Sequence, residues 1–409
     1  MRIKGSTILW IFIIIPFLKP DCLSGSNLSV WWNYMQYFSV ICGLIFIVKQ
    51  LRDIKHVEMS VWCLFLMYVA QIIASYMNGL DVNLDVITCI KMFVLLICTA
   101  LFTYQGKWRF AIFVYRVFEI IIEINMVVVL LFYQKGIVQD YYDEPIYFWS
   151  TRNHIIGIVI ATLALGAVLV QMEYIKRYRY IILLIISFLE VFLLQSSTAI
   201  IAICIMGIFL VVGLCCWGRK MQVNAGLIVA CGFILQILVV VFNIQERFGK
   251  WIYLLFGKST TLTGRVSLWE QAIEFISEEW LWGLGNPAAE GMSGWLELER
   301  WSQAAMTTKS TQYVAHNQFL EVFLNGGIFS FALFVLALVF VVRKIRYANK
   351  NVIWILSGAI FSYLVVMITE VVYPYPPVWI FLIIISQIQN EKGNESIERI
   401  ENNGSYTCI

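Results

Sequence analysis

Charge is what this sequence has least of. Asp, Glu, Lys and Arg make up 13% of its 409 residues, against roughly 25% in a soluble domain. A chain so poor in charge, and 60% hydrophobic, falls outside the soluble globular classes and reads as a polytopic membrane protein. Histidine is also scarce: the three are His56, His154 and His316. None of the ten cysteines lies in the one long polar stretch, residues 243–321. No disulfide framework or cysteine metal site is therefore expected there. Most of the cysteines sit in apolar runs, where the side chain serves as a small hydrophobe. No internal repeat is visible. The net charge of +3 says little by itself, and nothing points to a nucleic-acid partner.

What the chain has in abundance is apolar helix. A span needs roughly 20 apolar residues. Runs of that kind predict about 12 transmembrane helices, at 6–18, 30–48, 57–77, 85–104, 110–132, 155–172, 180–194, 198–217, 222–242, 322–342, 352–371 and 377–388. The first and last are short. The first could also be a signal-peptide core, since Ser24-Gly25-Ser26 resembles a cleavage site. With the N-terminus in the cytoplasm, the short outer loops hold only Lys19, Lys135 and Arg152. Two basic residues fall in spans, six in the long loop, and the other 18 of the 29 on the cytoplasmic side. That bias follows the positive-inside rule. It predicts N- and C-termini in the cytoplasm and 243–321 outside. The expected organisation is a transmembrane bundle of about nine helices over 1–242, an extracytoplasmic loop with amphipathic helices over 243–321, C-terminal transmembrane helices over 322–388, and a polar cytoplasmic tail over 389–409.

The long loop carries the candidate chemistry. Val266, Trp269, Ala272 or Ile273, and Ile276 recur at helical spacing, with Thr263 as the expected N-cap and Gly283, Gly285 and Pro287 as breakers. A second stripe, Trp295, Leu298, Trp301 or Ser302, and Ala305, predicts another amphipathic helix. Tryptophans here suit interfacial anchoring or stacking under sugar rings. Arg265 stands at a helix start, where unpaired N–H groups and a guanidinium together bind phosphate; a solvated or lipid-bound arginine reads equally well. His316 begins the next span and could move a proton near neutral pH, though a lone histidine is more often structural.

Charges inside spans are functional candidates by default. Arg116, Glu119 and Glu123 share one face of the fifth span and read best as an ion pair that locks helices. Lys91, Glu190 and Glu370 lie in outer half-spans and could line a cavity beneath the loop.

Together these residues resemble the O-antigen ligase and polymerase superfamily of bacterial surface polysaccharides. The resemblance covers roughly 152 to 342. It rests on Thr263-Gly264-Arg265 with Leu268-Trp269 and Gly283-Leu284-Gly285, on Ala315-His316-Asn317-Gln318-Phe319-Leu320-Glu321 running into Gly326-Gly327, on Arg152-Asn153, and on Ser196-Ser197-Thr198, which lacks the arginine often found there. It implies an all-α, C-type glycosyltransferase-like fold in the bacterial cytoplasmic (inner) membrane. It also implies a glycan donor on polyprenyl pyrophosphate, with membrane lipid, a chain-length regulator and a flippase as partners. Carried over by position, Arg265 and Arg152 would bind the pyrophosphate and His316 would act on the acceptor hydroxyl, with Asn317, Asn153, Glu321 and Trp269 in support. No cofactor or metal is implied, in keeping with the lack of an Asp-x-Asp triplet. Polymerisation of lipid-linked repeat units is the expected function. The alternatives are ligation of the finished glycan to lipid A core or a protein and, from a different class, a flippase, which the long loop argues against.

Overall fold

The computed structural model describes residues 5–24, 26–139, 144–214, 224–256, 264–302, 307–372 and 374–387. Each apolar run forms a helix: α1 Gly5–Ile14, α2 Asn27–Lys49, α3 Met59–Met77, α4 Asn83–Gly106, α5 Trp108–Leu131, α6 Ile155–Gln171, α7 Arg177–Leu194, α8 Ser197–Leu214 and α9 Ala225–Val240. After the long loop come α12 Gln318–Ile345, α13 Lys350–Thr369 and α14 Pro376–Gln387. The loop itself contributes α10 Gly249–Phe256 and α11 Arg265–Glu278.

Twelve spans were expected. Among the described residues, six helices are long and apolar enough to cross a bilayer, α2, α3, α4, α8, α12 and α13. A seventh span counts if α9 and the helical turn after it, bent by 84°, are taken as one. Charges at Arg109, Arg116, Glu119 and Glu123 keep α5 out of that set, as Arg177, Arg179 and Glu190 do α7. The helices α1, α6 and α14 are short apolar pieces.

Burial sorts the bundle into an inside and a rim. α6, α13 and α14 are buried almost all round, the mark of helices surrounded by other helices. α2 instead exposes Trp31, Phe38, Ile41, Ile45 and Val48, side chains suited to lipid. Around the centre, α13 packs on α8, α9 and α6, while α12 lies along α3. Of the expected trio, Arg116 and Glu119 pair, while Glu123 is exposed and has no ion pair among the described residues. Arg179 grips both oxygens of Glu119, at 2.9 and 2.8 Å, and Arg116 adds a third hydrogen bond at 2.7 Å, tying α7 to α5.

In the loop, α11 buries Leu268, Trp269 and Ala272; of the stripe read from sequence, Trp269 and Ala272 are buried and Val266 and Ile276 half-buried. Thr263 lies outside the described residues; Gly264, at φ 88°, is the N-cap. The second expected helix is not one. Residues Leu296–Ser302 form strand β3, paired antiparallel with Thr307–Tyr313, β4. The sequence Leu296-Glu297-Leu298-Glu299 alternates with period two, and β4 is rich in β-branched threonine. Both are strand signals, which outweighed the looser tryptophan spacing. Two shorter strands, β1 Val138–Gln139 and β2 Pro145–Ile146, pair in the loop before α6. A small core of Leu268, Ala272, Leu296, Tyr313, Ala315 and Leu324 seats the loop on the top of α12.

Candidate active site

Arg265 is the first residue of α11. Its guanidinium donates to Glu370 Oε1 at 2.7 Å. Glu370 follows the last turn of α13 in extended backbone, beyond the end of that helix. It is 3% exposed and Arg265 18%. The other carboxylate oxygen faces His154 Nε2 at 3.6 Å. His154 is the residue before α6, and its Nδ1 lies 2.6 Å from the Tyr375 hydroxyl and 3.2 Å from Thr151 Oγ1.

The electrostatics follow from burial and neighbours. Burial alone would raise the Glu370 carboxyl. Arg265, His154 and His316 outweigh it and bring the group down to about 2. Glu370 is therefore a fixed anion. Burial, with Asp21 and Glu370 nearby, pushes the Tyr375 hydroxyl well up, so that it keeps its proton. These two neighbours assign the tautomer of a neutral His154: Nδ1 accepts from Tyr375 and Nε2–H points at Glu370. The polar network continues to Ser150, whose hydroxyl donates to Asp21 Oδ2 at 2.6 Å.

His316 is set by a turn, with φ at 47°. The residues around it clamp that turn. Trp269 Nε1 donates to the Ala315 carbonyl at 3.1 Å, and Ala315 N–H donates to Glu321 Oε2 at 2.8 Å. Asn317 caps α12, its Oδ1 accepting from Phe319 and Leu320 N–H, both at 3.0 Å. Its amide also donates to Gln236 Oε1 at 3.1 Å and to the Ile368 carbonyl at 3.0 Å, two residues before Glu370. The supporting residues expected from sequence, Asn317, Glu321 and Trp269, thus clamp the backbone on either side of His316, whose charge is felt at Glu370. Trp269 is fully buried and offers no stacking face.

Arg152 stands apart from this pair. Its guanidinium donates to Glu144 at 3.1 Å and it is 43% exposed. Asn153 accepts from Ser196 at 2.9 Å, and Thr198 bonds Thr369 at 2.7 Å, directly before Glu370. The Ser196-Ser197-Thr198 turn therefore holds the flank of the site. Of the three outer-half charges, only Glu370 joins it. Glu190 is buried between α5 and α7, accepting from Asn125 at 2.5 Å, and Lys91 faces α2. The three groups thus have different neighbours. Sequence reasoning missed His154 and Tyr375 as site residues. The available signal was rarity: His154 is one of three histidines and closes the polar run Arg152-Asn153-His154 before an apolar helix.

Chemically, the arrangement offers a guanidinium held by a permanent carboxylate, with spare N–H donors, and two imidazoles within its field. It can bind an oxyanion and move a proton beside it. Residues 181–335 match the family model described as O-antigen ligase. No curated protein and no solved structure matches the chain. The family match supports an O-antigen ligase/polymerase-like superfamily. The apolar helices fit a multi-pass membrane protein.

Proposed function

We propose, with the O-antigen ligase family match as premise, that this protein polymerises oligosaccharide repeat units carried on polyprenyl pyrophosphate, outside the cytoplasmic membrane. The observation that carries the reading is the meeting of Arg265, Glu370 and His154, with the charge of His316 felt at Glu370. Arg265 keeps donors free for the pyrophosphate of the growing chain, while Glu370 fixes its orientation. Arg152, exchanging Glu144 for phosphate oxygens, supplies the second guanidinium. His316 takes the proton of the acceptor sugar hydroxyl. That oxygen attacks the anomeric carbon, the new C–O bond forms with inversion, and polyprenyl pyrophosphate leaves. Two guanidinium groups stabilise the charge that develops on the leaving group. His154 touches none of the reacting atoms in this scheme; it positions Glu370.

The family description itself favours a second reading, ligation of a finished glycan to another acceptor. The two differ in what accumulates. Arg265→Ala or His316→Ala should abolish long chains at normal protein level, with the rate falling at least about a hundredfold. A polymerase so disabled leaves single repeats on their carrier, whereas a ligase leaves full-length polymer on it. Wild-type chain lengths from both variants, released from the carrier onto the final acceptor as in wild type, would sink the enzymatic reading.

A further inference from the structure

His154 is an imidazole with both ring nitrogens engaged. Nε2 faces Glu370 Oε2 at 3.6 Å, and Nδ1 lies 2.6 Å from the Tyr375 hydroxyl and 3.2 Å from Thr151 Oγ1. With the ring hydrogen on Nε2, a further proton enters only at Nδ1, by way of one of those hydroxyls. Thr151 is buried. Tyr375 leads further. Its hydroxyl is also hydrogen-bonded to Ser150, and Ser150 donates to Asp21 Oδ2 at 2.6 Å. Asp21 opens the single helical turn between α1 and α2 and is only half-buried, so water reaches that end. Asp21, Ser150, Tyr375 and His154 thus make one line from water to the imidazole. Both bridging groups are hydroxyls, which pass a proton on by giving one and receiving one.

The charges around Glu370 give this line a use. Arg265 and Glu370 cancel one another at 2.7 Å. Among the described residues, the other ionisable groups near the imidazole are Asp21, with Lys19 beside it, His316, whose charge is felt at Glu370, and Arg152, which is turned to Glu144. With both histidines neutral, a diphosphate arriving at Arg265 meets a guanidinium whose charge is already matched by a buried carboxylate. An imidazolium at His154 changes that balance. It pairs with Glu370 and leaves the guanidinium charge to the phosphate. Burial pushes the Asp21 carboxyl up, against Ser150, His154 and Lys19, so it takes a proton from water more readily than an ordinary aspartate.

We propose that diphosphate binding at Arg265 is coupled to protonation of His154, with the proton arriving through Asp21, Ser150 and Tyr375. The coupling rests on the reading of Arg265 as the diphosphate site. Asp21 gains a proton from water and gives it to Ser150 Oγ. Ser150 releases its own hydrogen to the Tyr375 oxygen, and Tyr375 releases its hydrogen to His154 Nδ1. Asp21 ends as a carboxylate and both hydroxyls are intact. The net change is one proton moved from water to the imidazole, which then stands as a cation between Glu370 on one side and the line to Asp21 on the other. The role of His154 is positioning: its proton never reaches the substrate.

The test is equilibrium binding of radiolabelled geranylgeranyl diphosphate to the full-length protein in phosphatidylcholine nanodiscs, from about pH 7.5 to about pH 8.5, where the probe is fully ionised. Uptake of one proton makes wild-type affinity fall about tenfold as pH rises across that range. His154→Gln should match wild type at the upper end and show no such dependence. Tyr375→Phe and Asp21→Asn interrupt the line without touching Arg265, and each should flatten the dependence while binding persists. Arg265→Ala should lose binding throughout. A full tenfold dependence in His154→Gln would overturn the coupling, assign the proton to His316 and leave the diphosphate reading standing. A full dependence in both Tyr375→Phe and Asp21→Asn would overturn the route through Asp21. Binding untouched by Arg265→Ala would remove the diphosphate reading itself, and the coupling with it.

Discussion

Glu370 sets the charge balance of the site. It is a buried anion whose two oxygens hold one guanidinium and one imidazole. Replacing it with Gln removes the charge and keeps the shape. The Arg265 guanidinium is then left largely buried without its counter-ion, a change that destabilises by about 3–5 kcal/mol. Thermal unfolding of Glu370→Gln in detergent should show that loss, and transfer should fall with it. The sign of the pH dependence follows from the depressed carboxyl, about 2 against its ordinary 4.5. Stability from this group is fully present above the ordinary value and disappears as pH falls toward 2. The gap between wild type and Glu370→Gln should therefore be flat from about pH 5 to 8 and narrow below about pH 4. A gap that changes through neutral pH would show that another group supplies the stability. Arg265→Lys should fail to transfer despite keeping its charge, because an ammonium cannot span a carboxylate and a phosphate as a planar fork can; product analysis checks this.

Among the elements, the break in α12 ties the loop to the bundle. Gly326 and Gly327 leave helical geometry, Gly327 with φ 61°. The interrupted ladder is completed from outside: Leu284 N–H donates to the Leu324 carbonyl at 2.6 Å, and Ile328 N–H donates to the Trp280 carbonyl at 3.0 Å. A Cβ on Gly327 would strike the Leu281 carbonyl, and one on Gly283 would meet the Leu324 carbonyl at 2.5 Å. Both positions have positive φ, which disfavours an L side chain by about 1–2 kcal/mol before any overlap is counted. Gly327→Ala and Gly283→Ala should each lower the melting temperature and speed proteolysis within 279–295. Unchanged melting and cleavage would mean that this seam does not hold the loop. Asn317→Ala removes a helix cap, destabilising by about 1 kcal/mol, and frees the His316 turn from the Ile368 carbonyl. Its loss of transfer should therefore exceed what its melting temperature explains.

For the whole molecule, sidedness is read by labelling. The loop and the turn between α12 and α13 should lie on opposite faces of the membrane. Cysteines placed at the exposed Trp280 and Tyr347, in a chain stripped of its native cysteines, should react differently with a membrane-impermeant maleimide in intact cells. Trp280→Cys should label and Tyr347→Cys should stay protected. Labelling of both from outside would remove the expected topology and, with it, the extracytoplasmic site. Transfer by purified protein should persist in a chelator, since the proposed scheme stabilises the leaving group with guanidinium alone; a strict divalent-metal requirement would refute it.

The helices and the loop were legible in the chain itself, because an apolar run and a 3.6-residue stripe are local properties, read within a few turns. So was the position of Arg265 at a helix start. The strand pair β3–β4 was only half legible, since its period-two pattern competed with a tryptophan spacing that also fits a helix. What only tertiary structure decided is partnership. Arg265 meets Glu370 across 105 residues of sequence and His154 meets Tyr375 across 221, while Arg152, two residues from His154, turns to Glu144 instead. No local pattern encodes which buried charge finds which. That choice is made when packed helices bring scattered ionisable groups into one low-dielectric place, where each must find a counter-charge or stay uncharged.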